Sequence, residues 1–234
     1  MCQLKSCLVL KDRVYCPDYD SHQDMLDKLG IKDDYLGASK TFVRVELTPQ
    51  DGMISLMDPL DKWTLKVDQD VTPEWWDEKA DRQRVEEAVE AWRREHVFAD
   101  GEHIVKAGKV YACGRATVKA CDNAMVKAYG KATVDAYDSA TVTAYGSATV
   151  KAWESAMVKA YCGATVDAYD SATVTAYGSA TVTACGKATV YASGNATVKA
   201  CGKATVEACD SATAIYPCEK KIVYPAGWTA ETHD

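Results

Sequence analysis

The sequence is poor in the residues that fill ordinary cores and in the segments that cross membranes. Among 234 residues there are two phenylalanines and six prolines, which excludes both a conventional aromatic core and a proline-rich or collagenous chain. No apolar run approaches the ~18 residues of a membrane span, and residues 1–20 lack the apolar stretch of a secretory leader. The expectation is a soluble, cytosolic protein with no membrane partner. No basic stripe runs along the chain, so the electrostatic footprint of a nucleic-acid binder is missing. A phosphate-cradling glycine loop and an HExxH helix are missing too. With 47% hydrophobic residues the chain is still built to fold, and alanine and valine must supply thin, closely packed interior layers.

What is present is a repeat. From Val110 to Thr213 run thirteen tandem octads, best written A-T-V-x-A-Y-G-S, with valine every eight residues from Val110 to Val206. Alanine follows two residues later each time, from Ala112 to Ala208, and again six residues later, from Ala116 to Ala212. Such periodicity demands a solenoid or array. Within an octad, alternation sends Ala, Val and Ala to one face of a strand, and threonine, the variable residue and tyrosine or cysteine to the other. A closing pair such as Gly-Ser, Asp-Ser or Gly-Lys bends the chain. Helix competes poorly against a Thr-Val pair and a breaker in every octad.

The variable position indicates how many octads make one coil. Every second octad gives Lys119, Asp135, Lys151, Asp167, Thr183 and Lys199 on one face. Stacked in register at ~4.8 Å, these place opposite charges side by side. A three-octad coil would set Lys127 against Lys151. Segment 119–150 also recurs almost unchanged as 151–182, and that 32-residue step preserves faces only in a 16-residue coil. The fold class expected is an α+β N-terminal domain followed by a two-sheet β-solenoid of about 16 residues per coil and roughly six turns, ~30 Å long. Its alanine–valine interior leaves little room for a ligand, so binding belongs to the outside or the ends.

The domains read as 1–102, acidic α+β; 103–213, the octad solenoid; and 214–234, a C-terminal cap or tail. Residues 1–109 hold 16 Lys+Arg against 23 Asp+Glu, whereas the octads hold 9 against 8. The acidity therefore sits in the first part. Gln3–Leu10 and Val14–Cys16 read as a hairpin around Lys11–Arg13. Ser21 caps a helix to Leu29 with Gly30 as its stop. Thr41–Leu47 and Trp63–Val67 alternate as strands. Thr72-Pro73 reads as the start of a long helix ending at Asp100-Gly101, with Val85, Ala88, Val89 and Trp92 as its apolar stripe and Trp76–Ala80 as an earlier pair.

Several residues carry potential chemistry. Ten cysteines without a leader point to free thiols. Cys113, Cys121, Cys185, Cys201 and Cys209 replace tyrosine in the octad, and Cys185 and Cys201 become stacked neighbours that oxidation can bridge. Cys2, Cys7, Cys16 and His22 are potential zinc ligands, but C-x4-C-x8-C-x5-H lacks a C-x2-C pair. Cys2 as an N-terminal nucleophile lacks its glycine-rich context. Asp20-Ser21-His22 are adjacent rather than convergent, and Asp68 and Asp70 share a strand face that a cation could use. The expectation is no catalytic residue, no metal and no cofactor.

The binding residues expected are the stacked aromatics Tyr129, Tyr145, Tyr161 and Tyr177, with Trp153 in the opposite row beside Tyr137 and Tyr169, and the charge column Asp135, Lys151 and Asp167. An exposed aromatic ladder marks an interaction surface, and it also braces the edge it stands on.

Two resemblances follow from quoted residues. Ala144-Tyr145-Gly146-Ser147-Ala148-Thr149 resembles the A-G-Y-G-S-T repeat of bacterial ice-nucleation proteins, and Thr141-Val142-Thr143, Thr173-Val174-Thr175 and Thr181-Val182-Thr183 resemble Thr-x-Thr ice-binding units. Lys or Asp takes the second threonine's place in most other octads. Over nearly its full length the chain resembles uncharacterised bacteriophage and gut-prophage proteins. In those proteins phrases similar to Ser6-Cys7-Leu8-Val9-Leu10-Lys11-Asp12 and Asp68-Gln69-Asp70-Val71-Thr72-Pro73-Glu74-Trp75 precede short β-repeats. That resemblance implies a non-catalytic accessory protein in the cytoplasm of a bacterial host cell. Such a protein binds, occludes or sequesters a host protein, for instance of a defence system, and forms a homo-oligomer. The other readings are a small enzyme or ligand-binding domain with the solenoid as oligomerisation handle, and a virion, filament or ice-binding component.

Overall fold

In a computed structural model of the protein, residues 5–32 and 40–216 are described. The expected Cys2 chemistry and the C-terminal cap or tail from residue 217 onward lie outside them. The chain divides into two compact units, Met1–His96 and Val97–Asp234.

The first unit is an antiparallel sheet in the order β2-β1-β3-β4, built from β1 (Lys5–Leu10), β2 (Val14–Tyr15), β3 (Phe42–Thr48) and β4 (Thr64–Val67). The β1–β2 hairpin closes where the Leu10 amide donates to the Arg13 carbonyl at 2.7 Å, as the turn at Lys11–Arg13 required. Register sets Ser6 opposite Glu46 and Cys7 opposite Val45, so alternate residues of β1 serve two faces. Helix α1 (His22–Leu29) covers the face of Leu8, Leu10 and Phe42 with Met25 and Leu26. It begins and ends where the sequence placed it. Ser21 Oγ accepts the Asp24 amide at 3.2 Å, and Gly30 stops the helix at φ 65°, a left-handed conformation that glycine adopts without penalty.

Helix α2 (Glu78–His96) differs from expectation at both ends. The start moves from Thr72-Pro73 to Glu78 because Asp77 is the better cap. Its Oδ1 accepts the amides of Lys79 and Ala80, both at 3.0 Å, and its own amide donates to Asp81 at 3.0 Å. Pro73 instead closes a turn, accepting from the Trp76 amide at 3.0 Å. The helix stops at His96, short of Asp100-Gly101, because Val97–Phe98 is taken into a sheet. Of the stripe, Val85, Val89 and Trp92 are buried and Ala88 is half-buried.

The second unit is a β-solenoid of two parallel sheets with a 16-residue coil. Strands β5 (Val97–Phe98) and β6 (Glu102–Val105) lead, and from β7 (Lys109–Ala112) a four-residue strand recurs every octad until β20 (Thr213–Ile215). Even-numbered strands form one sheet and odd-numbered strands the other, each eight-stranded among the described residues. This exceeds the six turns expected from the octads, because three further strands, β5 and β6 before the repeat and β20 at its end, join it. Phe98 pairs with Ala112 and Val105 with Ala120; pairing needs backbone and an inward apolar residue, not the octad sequence. Inside, alanine and valine from all coils make one continuous core, most of it with no exposure. Asp135 lies in register with both Lys119 and Lys151, and Lys151 with Asp167. Those charge pairs are what the 16-residue coil predicts.

Candidate functional site

Each coil has two connecting edges. At the first, odd-sheet strands hand over to even-sheet strands through Tyr129, Tyr145, Tyr161 and Tyr177. Their rings stack at 5.0, 5.1 and 4.9 Å between centroids, within 13° of parallel. At the second edge Tyr137, Trp153 and Tyr169 stack at 4.7 and 5.6 Å. The ring spacing is the strand spacing, so the ladder is imposed by the backbone and braced by ring–ring contact. The predicted binding residues therefore fall into two groups. Tyr129, Tyr145, Tyr161 and Tyr177 occupy the first edge. Asp135, Lys151 and Asp167 form a column on the even sheet two residues before Tyr137, Trp153 and Tyr169, beside the second edge. The two groups do not converge on one site.

The rings are half-buried, and Tyr177, at the end of its row, is 38% exposed. Burial pushes the phenol of Tyr129 well above the ordinary tyrosine range, with Tyr145 and Tyr111 adding to the effect. Burial, then Tyr161, raises that of Tyr145. Tyr129 and Tyr145 are thus neutral across the physiological range, and each tyrosine of the rows is apolar on the ring and hydrogen-bonding at the hydroxyl.

The edges differ in charge, which the octad consensus conceals. The residue after each edge aromatic sits at positive φ. At the second edge it is Asp122, Asp138, Glu154 and Asp170, with φ between 52° and 56°. These acids stack one coil apart, and each of three accepts the backbone amide of the acid one coil before it: Asp138 from Asp122 at 3.1 Å, Glu154 from Asp138 at 3.0 Å, Asp170 from Glu154 at 3.4 Å. At the first edge the same position is Gly114, Gly130, Gly146, Cys162, Gly178 and Gly194, and an acid, Asp210, follows only beyond the tyrosine row, where it accepts the Gly194 amide at 3.2 Å. One aromatic row is therefore flanked by carboxylates and the other by glycines and the uncharged Cys162. The signal was legible in the sequence as an acid in place of glycine at 16-residue intervals.

The cysteines at these edges behave unequally. Cys185 and Cys201 form a disulfide between neighbouring coils, with Cα atoms 4.9 Å apart, within the range a bridge requires. The expectation of free thiols thus fails for this pair and holds for Cys7, Cys16, Cys113, Cys121, Cys162 and Cys209.

In the first unit the sequence's zinc quartet is split. Cys7 and Cys16 lie together on the α2 side of the sheet. There the buried Lys5 ammonium pairs with Asp20 at 2.8 Å and sits 4.9 Å over the Trp92 ring. The Cys7 thiol, pushed up by burial, donates to Cys16, and that hydrogen bond lowers the Cys16 thiol despite opposing burial. Cys16 borders an open cleft of about 450 Å³ with Pro17, Trp92, Glu95 and His96. His22 lies on the other face. Its Nε2 is 3.2 Å from the Val45 carbonyl and its Nδ1 3.5 Å from Asp68. Its third neighbour is Glu46, which the sequence did not single out within the strand Thr41–Leu47.

Compared with protein-family models, curated proteins and solved structures, the chain matches none.

Proposed function

We propose that the protein is a non-catalytic binding module that occludes or sequesters a protein partner through the edges of its solenoid. The observation that supports this reading is the pair of aromatic rows, seven rings held at strand spacing over an interior in which, among the described residues, no polar side chain is buried. Rigid aromatic side chains give large contact area at little entropic cost. The acid row beside Trp153 favours a partner with arginine-rich or otherwise basic surface, where guanidinium groups stack on rings and pair with carboxylates. The acidic first unit adds long-range attraction to the same kind of partner. The resemblance to phage-encoded proteins makes a host protein in the bacterial cytoplasm the natural candidate, and the stacked edges also suit self-association into a homo-oligomer.

The experiment is affinity capture from reduced bacterial lysate with the full chain, beside Tyr145→Ser/Tyr161→Ser/Tyr177→Ser and Tyr137→Ser/Trp153→Ser/Tyr169→Ser. One host protein retained in stoichiometric amount, and lost in one of the two edge variants, is the expected result. Recovery of the protein alone, or equal capture by both variants, overturns the proposal.

A further inference from the structure

The polar cluster between α1 and the sheet has the composition of a metal site rather than of a structural network. Glu46 lies on β3 with only 4% of its surface exposed, and has no hydrogen-bond or ion-pair partner among the described residues. A buried, unpaired carboxylate costs several kcal/mol unless something neutralises it. Lys66 is its register neighbour on β4, but its ammonium is 61% exposed and turned to Asp68 at 3.7 Å. Ser6, its register neighbour on β1, is also fully buried, and its hydroxyl has no partner among the described residues. An orphaned hydroxyl and a carboxylate that keeps only slight contact with solvent thus stand side by side on one face.

His22 completes the cluster. A carbonyl only accepts, so the Val45 contact at 3.2 Å assigns the proton to Nε2. That is how metal-binding imidazoles are commonly held, with the second nitrogen's proton given to a backbone carbonyl. In the neutral ring Nδ1 then presents a lone pair toward Asp68 at 3.5 Å. One ligand atom from each of His22, Glu46 and Asp68 lies within 4.8 Å of the others. With Nδ1 unprotonated, a lone pair and two carboxylates face one another, and a cation among them, like a proton on Nδ1, removes the repulsion.

We propose that His22, Glu46 and Asp68 bind a divalent transition-metal ion of the Mn²⁺, Fe²⁺ or Zn²⁺ class. One imidazole nitrogen with carboxylate oxygens suits these ions better than Mg²⁺ or Ca²⁺, which take oxygen alone. Three protein ligands leave coordination positions open, and Asp68, 44% exposed, gives them a side toward solvent. The site is independent of the solenoid edges.

The test titrates Mn²⁺ into the reduced full chain and follows loss of the free-ion electron paramagnetic resonance signal. Mn²⁺ is chosen because thiolates hold it weakly, which silences the cysteines. One equivalent bound per chain is expected, with affinity reduced at least about tenfold in Glu46→Gln and in Asp68→Asn. Asp138→Asn/Glu154→Gln, on the solenoid acid row, is expected to leave this site unchanged. Without metal, Glu46→Gln raises the melting temperature, because a neutral amide replaces the orphaned charge, and Mn²⁺ no longer raises it further. Asp68→Asn, at a half-exposed position, keeps the test valid if Glu46→Gln misfolds. Absence of binding, or equal binding in both first-unit variants, overturns the proposal.

Discussion

The buried polar and charged residues among those described, Lys5, Ser6, His22, Glu46, Ser55 and Asp81, all belong to the first unit. The solenoid buries alanine and valine almost exclusively and carries its charge and aromatics outside. The first unit therefore draws its specificity from single contacts, each made once. The solenoid repeats one contact set coil after coil, so that stability is shared among nearest neighbours. A repeated surface favours a long, shallow interface, whereas a polar interior favours a small charged ligand. The two proposed functions follow that division.

The largest effects are expected from interchanging the two kinds of interior. Val150→Asp places an unpaired carboxylate in the alanine–valine core and should cost more than ~4 kcal/mol. Lys5→Met breaks an ion pair whose ammonium is buried and should cost ~3 kcal/mol, since Asp20 retains 23% exposure. Thermal melts of the two variants check the order; equal losses would mean that the solenoid interior is less dry than described.

Next comes backbone geometry. Cys162 has φ 58° where Gly114, Gly130, Gly146, Gly178 and Gly194 occupy the same position on its edge, and its own glycine, Gly163, stands one residue late. Cys162→Gly should stabilise by ~1 kcal/mol, by removing a side chain from the left-handed region. No gain in melting temperature would contradict the turn assignment.

Smaller still is the charge column. Lys151→Asp sets three carboxylates in register with Asp135 and Asp167 and should cost ~0.5–1 kcal/mol, less at high salt. A salt-independent effect would place those side chains elsewhere.

The smallest effect is one of reactivity. Cys7→Ala removes the hydrogen bond that lowers Cys16, so the pH midpoint for alkylation of Cys16 should move upward. A downward move or none would remove Cys7 as the cause.

How much of this was legible depended on whether the signal was repeated. Coil length, inward and outward faces and the aromatic rows came from thirteen copies of one octad, so that errors in any single copy cancelled. The α1 caps were legible because Ser21 and Gly30 act locally. The start of α2 was misplaced because Thr72-Pro73 has the form of a cap and only the reciprocal Asp77–Asp81 contact decides between the two. Strands β5 and β6 lacked the octad pattern, and pairing across 14 or 15 residues leaves no local mark. The acid row was visible but averaged away by the consensus. Glu46 was illegible, since alternation in β3 gives it a face but not the helix that buries that face. The grouping of His22 with Asp68 depends on the same packing.

The account rests on the two-octad coil, because that register creates both edges. The native cysteines test it without any substitution. Cys185 stands 16 residues from Cys201 and 24 from Cys209, so each candidate coil length brings a different partner beside it. Mild oxidation of the intact protein, followed by non-reducing tryptic peptide mapping, separates the two. A bridge between the Cys185 and Cys201 peptides is the predicted result, and a bridge from Cys185 to Cys209 would contradict the coil and with it both aromatic rows.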